Sequence, residues 1–106
     1  SFLALADDQF GRPGLFFLDE PEAALSWQRQ LTLALMISES IALGSQFIIA
    51  THSPLLMAIP GACLLHFGQN GIAPCNVEET ESWQIMELLV SRRDLLFAHL
   101  LKKTDK

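Results

Sequence analysis

The chain has 106 residues, 50% of them hydrophobic, which predicts one small globular domain with a core of its own. Its formal net charge of −5 leaves no basic stripe to neutralise phosphates, so direct contact with DNA or RNA is disfavoured. Two cysteines are too few for a disulfide scaffold, and neither a secretory leader nor an apolar run of roughly 20 residues is present. These features favour a cytoplasmic protein without a membrane segment.

The first half of the sequence predicts a helix, a strand, a second helix and a second strand. Residues 2–10 have helical spacing, and residues 15–18 are apolar on both faces, as in a strand buried between two layers. Ser26 is a good N-cap for a helix of about 17 residues, and Gly44 suits its C′ position. A second apolar run over residues 47–50 then completes a parallel βαβ unit.

The second half of the sequence predicts a β-hairpin followed by helices. Its two strands cover residues 63–67 and 72–78, joined by a turn rich in glycine and asparagine. Residues 83–101 look helical in two pieces, because Ser91 with Asp94 three positions later resembles a capping box. The fold class is therefore α/β, with a parallel βαβ core, a hairpin and C-terminal helices.

Polar residues follow both predicted strands of the βαβ unit. Asp19 and Glu20 end the first strand, while Thr51 and His52 end the second. Because sites in doubly wound sheets lie at the carboxyl ends of strands, we expect an acidic pair and a histidine to face one crevice. Asp19 could hold Mg²⁺ through its water shell, Glu20 could orient or deprotonate water, and His52 could hydrogen-bond a γ-phosphate.

Each of these residues alone also has an ordinary structural explanation. An apolar strand often ends in acidic residues, and a single histidine after a strand is usually a solvated or capping residue. Their joint occurrence in this order favours the catalytic interpretation. A zinc site is the alternative metal centre, with four candidate ligands: Cys63, His66, Cys75 and His99. It is disfavoured because Cys63 and His66, three apart on one strand, should point to opposite faces.

Two segments carry a family resemblance. Residues 14–26, GLFFLDEPEAALS, resemble a Walker B motif that runs into the D-loop of an ABC-type ATPase. Residues 46–54, QFIIATHSP, resemble the strand that carries the switch histidine. The chain is similar to soluble bacterial ATPases of the AAA-like, OLD-type and SMC-type branch over nearly its whole length. The resemblance implies the C-terminal half of a P-loop NTPase domain.

The resemblance also implies a role for each motif residue. Asp19 would support Mg²⁺, Glu20 would be the catalytic base, and His52 would contact the γ-phosphate of ATP. The D-loop would touch a partner subunit across an ATP sandwich in a homodimer, through Pro21, Glu22, Ala23, Ala24, Leu25 and Ser26. ATP and Mg²⁺ would be the cofactors of the complete domain.

The phosphate-binding loop of this family has no counterpart in the sequence. No Gly-x-x-x-x-Gly-Lys-Ser/Thr occurs, and the only lysines are Lys102, Lys103 and Lys106. We therefore expect residues 1–106 to be one partial ATPase domain, inactive alone and completed by an N-terminal half. A non-catalytic interaction or regulatory module derived from such an ATPase is the alternative. DNA repair, phage defence and nuclease regulation are all compatible with this segment.

Overall fold

Two short parallel strands lie at the centre of the first of two units. The computed structural model describes residues 2–104, with the side chains of residues 3–102. It divides the chain into residues 1–62 and residues 63–106. The first unit contains, in chain order, α1 (Phe2–Phe10), β1 (Leu15–Asp19), a 3₁₀ turn (Pro21–Ala24), α2 (Trp27–Ala42), β2 (Gln46–Ala50) and the short helix α3 (Pro54–Met57).

Helix α2 begins and ends where the sequence predicts. The Ser26 hydroxyl accepts a hydrogen bond from the backbone N–H of Arg29 at 3.2 Å, which satisfies one of the free donors at the helix start. Beyond the C-terminus, Gly44 adopts a φ of 102°, a left-handed conformation that glycine reaches without steric cost. Both predicted caps of this helix are therefore confirmed.

Strands β1 and β2 pair in parallel, which confirms the predicted arrangement of the two apolar runs. Their register places Leu15 beside Gln46 and Asp19 beside Ala50. The pairing continues one step beyond the strands, because the backbone N–H of Glu20 donates to the carbonyl of Ala50 at 2.7 Å. The carboxyl ends of the two strands therefore lie side by side.

The core of this unit lies on one face of the strand pair. Its buried members come from all three helices: Ala6, Phe10, Leu33, Ile37 and Leu56. Phe16 of β1 and Phe47 of β2 stack with ring centroids 5.0 Å apart, and the edge of Phe10 meets both rings at 4.8 and 4.9 Å. Aromatic contacts of this geometry add to the gain from burial and fasten α1 to the strands.

The opposite face of the strand pair is exposed, so the prediction of strands buried on both faces is wrong for the described residues. Leu15, Phe17 and Ile48 remain 55%, 69% and 51% exposed. The cause is the alternation of a strand: Phe16, Leu18, Phe47 and Ile49 point to the helices, and their neighbours point away. An apolar run does not show which of its faces is covered.

The second unit starts with the predicted hairpin. Strand β3 (Leu64–Gly68) pairs antiparallel with β4 (Gly71–Cys75), and Gly68 lies opposite Gly71 at the turn. The prediction that β4 extends to residue 78 is wrong. A 3₁₀ turn (Val77–Glu79) replaces its end, because the Glu79 carboxylate accepts from the backbone N–H of Asn76 at 2.8 Å and turns the chain.

Two helices follow, α4 (Glu81–Ser91) and α5 (Arg93–Thr104), which confirms a helical region in two pieces. The predicted capping box at Ser91 is wrong. Ser91 is the last residue of α4, and its hydroxyl donates to the carbonyl of Glu87 at 2.6 Å, while the break falls at Arg92. No helix in the described residues has the length and apolar character needed to cross a membrane.

Candidate functional site

The residues that follow β1 and β2 form one cluster at the carboxyl edge of the strand pair. Glu20 follows β1 with φ 45° and ψ 54°, and within residues 2–104 it is the one non-glycine residue with a positive φ. A left-handed conformation costs a residue with a Cβ roughly 1–2 kcal/mol. Strain of this kind concentrates at functional sites, where it aims a side chain that the regular strand geometry would misdirect.

The side chains of Glu20 and His52 meet at this edge. Nδ1 of His52 lies 3.2 Å from Oε1 of Glu20, and the two side chains are 84% and 57% exposed. The structure therefore brings together the two predicted catalytic residues and leaves both open to a ligand. Asp19, the last residue of β1, is also exposed and precedes Glu20 directly.

Glu22 connects the turn after β1 to the segment after β2. One carboxylate oxygen accepts from the Thr51 hydroxyl at 2.6 Å, and the other accepts from the backbone N–H of His52 at 2.9 Å. The Thr51 hydroxyl in turn accepts from the backbone N–H of Ser53 at 3.0 Å. Partial burial acts to raise the pKa of Glu22, but these hydrogen bonds and the nearby His52 outweigh it, and the pKa lies below its ordinary value.

Gln30 and Ser53 form a buried polar pair that holds the segment after β2. The Ser53 hydroxyl donates to the side-chain oxygen of Gln30 on α2 at 2.6 Å, and it accepts from the backbone N–H of Leu56 as the N-cap of α3. The Gln30 amide nitrogen donates to the carbonyl of Leu25 at 3.3 Å. Gln30 and Ser53 are both buried, so these contacts satisfy groups that would otherwise be costly to bury.

Sequence reasoning missed the roles of Glu22, Gln30 and Ser53. One signal was available for Ser53, because a serine followed by proline is typical of a helix N-cap followed by N1. Nothing in the local pattern reveals that Glu22 and Gln30 reach this segment, since their partners lie 23–30 residues away in the chain.

The predicted D-loop forms a single 3₁₀ turn followed by the N-cap of α2. Three of its residues are exposed, namely Ala23, Ala24 and Ser26, while Pro21, Glu22 and Leu25 are half-buried. The two alanines of this segment are thus accessible to solvent. Its contact with a partner subunit stays a prediction.

One group of three possible metal ligands exists among the described residues. Glu20, Glu22 and His52 each offer a ligand atom, and these atoms lie within 4.8 Å of one another. The four residues considered for zinc form no such group in this part of the chain, and Cys63 and Cys75 are free thiols. Asp19 does not belong to the group of three; exposed carboxylates such as those of Asp19 and Glu20 are donors that Mg²⁺ prefers, and binding of the ion by Asp19 stays a prediction.

The parallel strand pair, with acidic residues and a histidine at its carboxyl edge, is compatible with a fragment of a P-loop NTPase. Residues 1–58 match the family described as "AAA domain, putative AbiEii toxin, Type IV TA system". This match covers more than half of the 106 residues, and the chain belongs to that AAA-domain family. No curated protein and no solved structure matches the chain. Membership indicates a nucleotide-binding, ATPase-like function, with the general use of nucleotide and Mg²⁺ that such domains share.

Proposed function

We propose that this chain supplies the Walker B strand, the catalytic glutamate, the D-loop and the switch histidine of an ABC-type ATP-hydrolysing domain. The observation that carries the proposal is the contact between Glu20 and His52 beside Asp19, at the carboxyl edge of a parallel strand pair. Glu20 makes this contact from a strained backbone conformation, and strain of this kind clusters at functional sites.

The three side chains have distinct roles in this proposal. Asp19 would hold Mg²⁺, and the ion would supply positive charge to offset the negative charge that develops on the phosphates. The Glu20 carboxylate accepts a proton from the attacking water or orients it. The His52 ring faces Glu20 through Nδ1, at 3.2 Å from Oε1, and its Nε2 is the ring atom that we assign to a γ-phosphate oxygen.

The phosphate-binding loop comes, in this proposal, from a segment outside the present sequence. The chain contains no Gly-x-x-x-x-Gly-Lys-Ser/Thr, and its lysines stand at positions 102, 103 and 106, far in sequence from the carboxyl edge of β1 and β2. The exposed apolar face formed by Leu15, Phe17 and Ile48 supports a missing half, because a contiguous apolar surface usually has a partner. Two complete copies would then enclose ATP, with residues 21–26 at the contact, in the reducing environment of the cytoplasm.

The proposal is tested on a complete ATPase domain. This domain contains the present chain together with the segment, encoded with it, that carries the phosphate-binding loop. ATP turnover is measured for the wild type, for Glu20→Gln and for His52→Ala. Glu20→Gln should retain ATP binding and lose hydrolysis, because the amide cannot accept a proton from water. Glu39→Gln is the matched control, since Glu39 is an exposed glutamate on α2.

Turnover that Glu20→Gln leaves undiminished would remove Glu20 from the role of base and overturn the assignment. ATP binding without any turnover by the wild type would instead favour the alternative, a regulatory or interaction module that kept the fold.

A further inference from the structure

We infer that Glu22 is a positioning residue that sets the place of His52 by holding the backbone of residues 51–53. This inference rests on the proposed function, because it assigns a task to Glu22 within the same site. The carboxylate of Glu22 stands between the turn after β1 and the segment after β2, and it joins them through both of its oxygens.

The Glu22 carboxylate accepts two hydrogen bonds, and its negative charge strengthens both. An ionised carboxylate accepts from a hydroxyl at 2.6 Å and from a backbone N–H at 2.9 Å, on consecutive residues. Charge-assisted hydrogen bonds are shorter and stronger than neutral ones, and two bonds from one rigid group fix an orientation as well as a distance. Glu22 therefore restrains the peptide between Thr51 and His52.

His52 needs this restraint because its own side chain is mostly in solvent. The imidazole is 84% exposed, and an exposed contact such as the one with Glu20 holds a side chain only weakly. The position of the ring thus depends on its backbone. That backbone is held on one side by Glu22 and, through Ser53, by the buried Gln30 on the other.

The arrangement links the D-loop turn directly to the histidine. Glu20 and Glu22 lie two residues apart on the same turn, and one contacts the His52 ring while the other holds the His52 backbone. A shift of residues 21–24 would therefore move His52 with it. The turn that is predicted to meet the partner subunit would in this way report that contact to the γ-phosphate-sensing residue.

The first test needs no catalysis. Hydrogen exchange of the His52 amide is measured by NMR in the wild type, Glu22→Ala, Glu22→Gln and the exposed control Glu39→Ala. Loss of the charge-assisted bond should speed exchange about tenfold or more in Glu22→Ala. Glu22→Gln keeps one oxygen acceptor and should show a smaller increase, and Glu39→Ala should show none. Unchanged exchange in both Glu22 variants would overturn the inference.

The second test is made on the assembled ATPase with its phosphate-binding loop. Glu22→Ala should lower kcat and leave KM for ATP nearly unchanged, because the variant disturbs the position of His52 and removes no ligand-binding group. Glu22→Gln should recover part of the loss, and Thr51→Val should give a decrease like that of Glu22→Gln. If Glu22→Ala has the kcat of the wild type while His52→Ala is inactive, the positioning role of Glu22 is wrong.

The two tests separate this inference from the proposed function. If the assembled protein hydrolyses no ATP, the proposed function fails, and faster exchange at His52 in Glu22→Ala still supports the hold that Glu22 exerts on the backbone. If hydrolysis depends on Glu20 and His52 and not on Glu22, the proposed function stands and the inference fails.

Discussion

Replacing Glu20 with glycine should give a more stable protein than replacing it with glutamine, and both changes remove the carboxylate that we propose as the catalytic base. The residue is held at φ 45° and ψ 54°, where a Cβ crowds the backbone and glycine is unstrained. The comparison variant is Glu20→Gln, which keeps the Cβ and the strain and removes the same negative charge. The difference between the two variants therefore reports the strain, less the entropic cost that glycine adds through the unfolded chain.

The magnitude follows from two opposing effects. Relief of a left-handed conformation returns roughly 1–2 kcal/mol, and the greater freedom of glycine in the unfolded chain costs about 0.5–1 kcal/mol. The lost contact with His52 is common to both variants and, being exposed, contributes only about 0–1 kcal/mol. Glu20→Gly should thus exceed Glu20→Gln in free energy of unfolding by about 0.75 kcal/mol, within a range of about 0–1.5 kcal/mol.

Urea unfolding followed by tryptophan fluorescence measures this difference. Trp27 lies in the unit that contains Glu20 and Trp83 lies in the other, so a Trp83→Phe background makes Trp27 the reporter. Both variants should lack hydrolysis, because neither keeps the carboxylate of Glu20. A Glu20→Gly protein less stable than Glu20→Gln would refute the claim that the backbone at Glu20 is strained.

Two further predictions concern the core and the pH response. Leu33→Ala should lower the free energy of unfolding by about 2–5 kcal/mol, because Leu33 is 0% exposed, whereas Leu31→Ala on the same helix, 58% exposed, should change it by about 0.5 kcal/mol or less in the same urea titration. Equal effects would contradict the described core. The stability that Glu22 contributes should be fully present above its ordinary pKa of 4.5 and be lost as the pH falls through its lowered pKa in the folded protein. The free energies of unfolding of the wild type and of Glu22→Gln should therefore become equal in acid. A difference between these two free energies that stays constant from pH 7 to pH 3 would contradict the prediction.

Much of the first unit could be predicted from local pattern. Ser26 and Gly44 mark the ends of α2 because capping depends on residues close in sequence. The two apolar runs predicted a parallel pair, and parallel pairing in turn placed Glu20 near His52. In this case the topology fixed the site, so a correct topology was enough to find its exposed members.

The missed features depend on contacts between distant residues or on the absence of a neighbour. Glu22 was predicted only as a D-loop residue that contacts a partner subunit, because its hydrogen-bond partners follow the other strand and are distant in sequence. The exposed face of Phe17 and Ile48 could not be read from apolar runs that would suit burial on two sides. Ser91 looked like a cap because capping residues also occur at the ends of helices, where their hydroxyls bond back to the preceding turn.

We propose Glu20 as the catalytic base of an ATPase that this chain completes. The most direct measurement compares ATP binding and ATP turnover of Glu20→Gln with those of Glu39→Gln, in the chain assembled with its phosphate-binding segment. The account predicts normal binding in both variants, with turnover lost only in Glu20→Gln. Equal turnover in the two variants would contradict it.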